Sequence, residues 1–435
     1  MLKHKTRRGG SLAALLLAAP PALALETDVG VALKVEYSDN IGLTARDEQE
    51  EWQRGGLFGF SLVEETPVVS ADVRALAEYR NFRNNTFSDD WRGDGSVSLA
   101  WHMLPQRLSW EVEDYFVTLL QDTQAPDTPG NQINTNVFST GPLANIRFSA
   151  THRAELGARY SRFSYEDRAS DSDRMRGLAS YFRRLRPAVE ASLNGMVENV
   201  QFDQDALVPD YLRGDLFLGA SSGNPLNTWT VNAGLSYIDR ERQKDVDGFL
   251  ARAVWRRYFR ATSYVDINAY AQYTDTGLNL LTAGGQQRIL TTASEQVSGD
   301  LFYDKRAEFI YHLGLGQSSI DASFQLREED YETQPLDRET IGGRLSYSMN
   351  RSTALTSSVY VQYLRYDYTD DDRTDDDVRA GLSLNYRFSR SLSLVGRYNF
   401  NYRDSTRPVS DYRENRIMFY VFYGRDPFTY RVSPF

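Results

Sequence analysis

The chain has 435 residues, a net charge of −10 and no cysteine, so disulfides, thiolate metal sites and cysteine nucleophiles are excluded. An isoelectric point near 5.1 argues against a nucleic-acid partner, because phosphate binding needs a basic face. A mean hydropathy of −0.52 looks water-soluble, yet a strand that shows lipid only alternate residues hides its apolar face from any average.

The N-terminus reads as a targeting segment. Lys3, Lys5, Arg7 and Arg8 precede an apolar run over residues 11–24, and Ala22-Leu23-Ala24 fits a small-x-small cleavage site. Residues 1–24 are therefore expected to be a signal peptide. Gly9-Gly10 follow the arginine pair where a twin-arginine signal prefers bulkier residues, which favours the general secretory route. Beyond the signal no run of about 18 apolar residues occurs, so no transmembrane helix is expected.

From Asp28 to Gly424 the chain resolves into about twenty segments of period two. The first, 28–38, leads into a long polar loop through Gly55. Segment 56–64 turns tightly at Glu65-Thr66-Pro67 into 68–81, and a loop over 82–92 follows. Segment 95–103 turns at Leu104-Pro105-Gln106 into 107–118. The next loop, 119–132, holds Pro126, Pro129 and Gly130. The rhythm then repeats: 134–149 with 152–166, 173–184 with 188–202, 211–221 with 228–239, and 248–258 with 263–274. The longest loop runs from Asp275 to about Leu301. Segments 302–316 and 319–331 follow.

The clearest alternation lies over 338–404. Ile341, Gly343, Leu345, Tyr347 and Met349 alternate with polar neighbours. So do Val378, Ala380, Leu382, Leu384, Tyr386 and Phe388, and then Leu392, Leu394, Gly396, Tyr398, Phe400 and Tyr402. Ten or more residues per strand is the length a tilted strand needs to cross a bilayer. Short and long connections alternate strictly, which an outer-membrane barrel requires and a soluble meander does not. The sequence thus predicts one all-β domain over 25–435. It is a transmembrane up-and-down antiparallel β-barrel of about twenty strands, with eighteen as the alternative. Short turns would face the periplasm and long loops the exterior of a Gram-negative outer membrane. Residues 412–424 would close the barrel, with Ile417, Phe419, Val421 and Tyr423 toward lipid, and 425–435 would form a short tail.

Four stretches carry a family resemblance: Tyr37-Ser38-Asp39-Asn40-Ile41, Asn136-Val137-Phe138-Ser139-Thr140-Gly141-Pro142, Glu155-Leu156-Gly157-Ala158-Arg159-Tyr160 and Asp411-Tyr412-Arg413-Glu414-Asn415-Arg416. In this order they resemble the outer-membrane β-barrel porin family found with exopolysaccharide and exosortase gene clusters. The resemblance spans the mature chain. It implies an outer-membrane location, a role in exopolysaccharide export and periplasmic export partners. It brings no catalytic residues.

The polar face supplies the pore-lining candidates Arg159, Asp266, Gln272, Asp321, Arg327, Arg344, Arg379, Arg387, Arg397, Asn399 and Arg403. Two readings stay open. Cross-strand pairs among them could simply brace and hydrate the wall, or the C-terminal arginines could attract anionic solute or acidic sugar. A barrel this wide is water-filled unless something plugs it. A loop folded inward is the expected plug, and 275–301 with the hinge-like pair Gly284 and Gly285 is the candidate by length. The acidic run Asp370–Asp377 could take a divalent cation or bridge to lipopolysaccharide, but its spacing matches no calcium loop and Arg373 sits inside it; a solvated loop is the default. Enzyme readings find little support. His102, His152 and His312 lie in or beside strands, and neither HExxH nor GxSxG occurs. No cofactor or metal is expected. Export of exopolysaccharide, general or solute-specific diffusion, and a structural or adhesive surface barrel remain as functions.

Overall fold

The computed structural model describes residues 25–166, 171–204, 208–275 and 299–424. The expected signal peptide, the tail 425–435 and the pair Gly284-Gly285 lie outside these residues. The strands are β1 Glu26–Ser38, β2 Glu51–Glu65, β3 Val69–Phe82, β4 Asp90–Leu104 and β5 Leu108–Leu120. Then come β6 Gln132–Arg147, β7 His152–Tyr165, β8 Ser172–Arg186, β9 Val189–Phe202 and β10 Tyr211–Asn224. The second half holds β11 Asn227–Arg240, β12 Val246–Arg260, β13 Ser263–Thr274, β14 Phe302–Gly314 and β15 Ser318–Tyr331. The last five are β16 Arg338–Asn350, β17 Leu355–Tyr368, β18 Arg373–Arg387, β19 Leu392–Ser405 and β20 Tyr412–Gly424.

Each strand pairs antiparallel with its sequence neighbours, and β1 closes on β20 from Gly30↔Gly424 to Ser38↔Arg416. The result is one closed 20-stranded sheet with no bare edge, the form that lets a strand protein satisfy its backbone in hydrocarbon. No helix among the described residues is long and apolar enough to cross a membrane.

Period-two alternation sets the two faces. Leu33, Leu218, Leu235 and Phe249 point outward and are 60–71% exposed. Residues that alternate with them on the other face of β1 and β11, among them Lys34, Glu36 and Ser236, are buried. The inward charges would each cost about 2–4 kcal/mol for Arg or Lys if turned to mid-bilayer lipid. That difference fixes the register of every hairpin.

Three strands start well before their sequence-read positions, and one of them, β4, begins at Asp90 rather than Gly95. β2 begins at Glu51, not Gly56, because the ladder runs on beside β1 to Ser38↔Glu51. Glu51 is buried and accepts the backbone N–H groups of Trp52, Asn84 and Thr86, so this polar stretch is wall rather than loop. Gly55 sits where a Cβ would lie 2.8 Å from the Tyr79 carbonyl oxygen, so the close approach of β3 requires glycine. The acidic run also differs. Its loop is only 369–372, and Arg373 starts β18. Alternation then turns Asp375 and Asp377 inward and sends Asp376 outward, onto the Tyr363 hydroxyl. Among the described residues no group of three or more carboxylates and histidines could hold a metal.

Candidate functional site

The lumen is lined by the inward face of all twenty strands, and its charge is unevenly spread. On β16–β20 the inward positions carry Arg338, Arg344, Arg373, Arg379, Arg387, Arg397, Arg403 and Arg416 against Asp375, Asp377 and Glu414. On β3–β5 the sign reverses. Asp72, Glu78, Asp90, Asp94, Glu111 and Glu113 face inward against Arg74, Arg80 and Arg92. A solute in the lumen therefore meets an arginine-rich wall and an acid-rich wall.

The loop 121–131 between β5 and β6 bridges those walls. The buried Tyr368 hydroxyl donates to the Thr123 carbonyl at 3.3 Å, and the Arg373 Nη1 donates to the Gln124 carbonyl at 2.9 Å. On its own side the loop is held by Arg92, whose Nη2 donates to the Pro129 carbonyl at 3.5 Å. The loop keeps its shape through Asn131. That side chain accepts the Asp122 N–H at 2.9 Å and donates to the carbonyls of Asp122 and Pro126 at 2.7 and 3.0 Å.

These contacts constrain the cross-section. Twenty strands about 4.8 Å apart and tilted near 40° would close a circle roughly 40 Å across. Yet Thr123 is three residues past Leu120, which gives the chain a reach of at most about 10 Å. The β5 rim and the β17–β18 rim must therefore approach, and the barrel is flattened at its loop end. The far side is drawn in as well. Arg174 of β8 pairs with Asp275, directly after β13, at 2.8 Å, and the Tyr211 hydroxyl of β10 donates to the same carboxylate at 2.5 Å. Val200, Phe202, Val208, Tyr211, Ile238 and Leu301 pack beside this junction.

Most inward charges are satisfied by one another. Arg327 pairs with Asp304 and Glu329, and Arg338 with Glu329, all of them buried. Arg373 and Arg403 share Asp375, and Arg403 also holds Asp377. Across the closing seam Lys34 binds Glu36 and Glu78, and Arg416 binds Glu414 and Glu36. Breaking one member of such a buried set leaves an uncompensated charge.

The candidate residues divide among these environments. Arg327 and Arg403 are buried in the networks just described. Arg379 lies 3.5 Å from Asp377. Asp266 holds Arg256, Gln272 accepts from Arg252 Nε at 2.5 Å, Asp321 holds His312, and Arg159 holds Glu111. Arg344 stacks over the Tyr360 ring at 4.2 Å and Arg397 over the Tyr420 ring at 5.7 Å. Asn399 faces Gly381, whose lack of a side chain leaves room for its amide. Arg387 is exposed at the short-turn end. The bridging loop and its Asp127 were not singled out from sequence. Two prolines, a glycine and Asn131 in so short a connection were the available signal, since such a loop is stiff rather than solvated slack. The ends of the 275–301 loop do turn inward, through Asp275 and Leu301, while residues 276–298 lie outside the described residues.

Residues 354–423 match the family described as "Putative beta-barrel porin 2". This span is β17–β20, and of the four motifs quoted from sequence it includes Asp411–Arg416. A search of curated proteins finds no match. Among solved structures, the outer membrane protein OpdK of Pseudomonas aeruginosa is 10% identical with a TM-score of 0.38, covering 92% of this chain and 99% of its own. OccK2 (OpdF) of the same organism, solved with glucuronate, is 11% identical with a TM-score of 0.41, covering 92% and 98%. OccK3 (OpdO), also from Pseudomonas aeruginosa, is 14% identical with a TM-score of 0.38, covering 92% and 96%. The closed barrel, its outward apolar band and the family match together place the chain in a Gram-negative outer membrane.

Proposed function

We propose that this porin-type outer-membrane barrel is a diffusion channel for small anionic solutes, such as organic or sugar acids. The observation that carries the reading is the loop 121–131, latched across the lumen onto the arginine-rich β17–β18 wall. Such a loop narrows the path and forces solute past the guanidinium groups of Arg344, Arg379 and Arg397, where an anion is favoured electrostatically.

The family resemblance suggests a different cargo, an exopolysaccharide delivered by periplasmic partners. A polymer chain would need the loop to leave its latch, so a latched loop favours the small solute. Liposome swelling tests this. The proposal requires monosaccharide acids to enter far faster than oligosaccharides of six or more units. Equal entry of both, together with loss of secreted polysaccharide on gene deletion, would replace it with export. A barrel that admits neither would leave the structural or adhesive role.

A further inference from the structure

Charge in this molecule is also sorted along the barrel axis. The carboxylates crowd the long-loop end, as at Asp89, Asp171, Asp203, Asp337 and Asp371. The short-turn end, which faces the periplasm, is basic despite the net charge of −10. Arg183, Arg186, Arg257, Arg260, Arg351 and Arg390 are exposed there, and among the described residues none has a carboxylate partner. They belong to the β8–β9, β12–β13, β16–β17 and β18–β19 hairpins, so they extend over more than half of the rim.

Their neighbours show the depth at which they sit. On the outward face of β8, Tyr181, Arg183 and Leu185 follow one another. On β12 the same face reads Trp255, Arg257 and Phe259. Tyr181, Leu185 and Phe259 are 42–56% exposed, and Phe388 beside Arg390 is 60% exposed. Exposed aromatics at strand ends mark the lipid headgroup level.

We propose that this arginine collar binds the phosphate groups of anionic phospholipid in the inner leaflet. Three features favour lipid over a protein partner. The arginines follow the rim over more than half of its circumference rather than clustering on one face, as contact with surrounding lipid requires. They alternate with residues that already contact the bilayer. The basic residues at this end are all arginine, whose planar fork matches a phosphate, while lysine beyond the signal occurs only at 34, 244 and 305.

The test uses the full barrel in nanodiscs, with Trp52 and Trp91 at the loop end replaced (W52F, W91F). Trp101, Trp110, Trp229 and Trp255 then report from the short-turn half. Quenching by brominated phosphatidylglycerol is compared with brominated phosphatidylcholine at equal mole fraction. A preference of about fivefold for the anionic lipid is expected from one arginine's attraction near a charged surface. It should fall to near unity in R183Q/R186Q/R257Q/R260Q. Heat-modifiable gel mobility checks that this variant is folded, and R46Q/R83Q at the loop end should keep the preference. Equal quenching by the two lipids in the parent, or a preference unchanged in the fourfold variant, overturns the proposal. So does loss of the preference on adding inorganic phosphate, which would make free phosphate the ligand. Retention on peptidoglycan without lipid preference would assign the collar to the cell wall instead.

Discussion

The latch between loop 121–131 and the far wall can be removed without cutting the chain. In Tyr368→Phe/Arg373→Gln the loop loses the 3.3 Å bond to Thr123 and the 2.9 Å bond to Gln124. Asp375 keeps Ser405 at 2.6 Å and Arg403 at 3.3 Å, so no buried carboxylate is abandoned. A neutral hydrogen bond contributes about 1 kcal/mol and one from a charged donor about 2, so the latch contributes roughly 3 kcal/mol. At about 1.4 kcal/mol per tenfold, the ratio of unlatched to latched loop should rise roughly a hundredfold. Single-channel recording in planar bilayers reads this directly. The double variant should show a larger main conductance or frequent transitions to one, and liposome swelling should admit larger sugars. Parent-like conductance and exclusion limit in a folded double variant would refute the reasoning, since the loop would then not be what narrows the lumen.

The remaining predictions probe other parts of the account. Asn131→Ala removes the brace inside the loop and should increase channel noise while leaving the urea midpoint of the barrel nearly unchanged; a quiet channel would show that the brace is dispensable. Arg327→Ala strands the buried Asp304, while Glu329 keeps Arg338, and should cost about 3–5 kcal/mol in urea unfolding from micelles. An unchanged midpoint would mean that water reaches this network. Leu218→Arg, midway along the outward face of β10, should destabilise the folded barrel by about 2–4 kcal/mol, whereas the inward Thr230→Arg should cost far less. Equal costs would contradict the assigned faces. At the loop end, Arg162 hydrogen-bonds Asp203 and holds its carboxyl below the usual aspartate range. The depressed value means that this tie stabilises the fold above the ordinary aspartate range and is lost as pH falls through the folded value. Carboxyl NMR should therefore show the Asp203 midpoint rising in Arg162→Gln; the same midpoint in both proteins would remove Arg162 as the cause.

The barrel was legible because its signal repeats. Alternation such as Val378 to Phe388 shows one strand, and the alternation of long and short connections shows the closure. The same rule gave the outward row Ile417, Phe419, Val421 and Tyr423, which the structure places on the exposed face. Polar strand ends were harder to read. Glu51 to Gly55 and Arg373 to Asp377 carry charges because they face a lumen filled by ion pairs, and composition cannot separate that from a solvated loop. Which arginines pair was beyond reach for a different reason. Arg174 finds its carboxylate 101 residues away, and Arg373 finds a carbonyl 249 residues away. Both contacts depend on how far the barrel flattens, a property of the closed sheet that no local pattern encodes. Length pointed to 275–301 as the inward loop, of which only the two ends lie among the described residues; the proline-stiffened connection 121–131 reaches across as well, because the walls lie close.

The most direct measurement is the reversal potential of the purified barrel in a planar bilayer across a tenfold potassium chloride gradient. The arginine-rich wall facing a narrowed lumen should make the channel anion-selective, and R344Q/R379Q/R397Q should move the potential toward the cation side. A non-selective or cation-selective parent channel, or one whose potential the triple substitution leaves in place, would contradict the account.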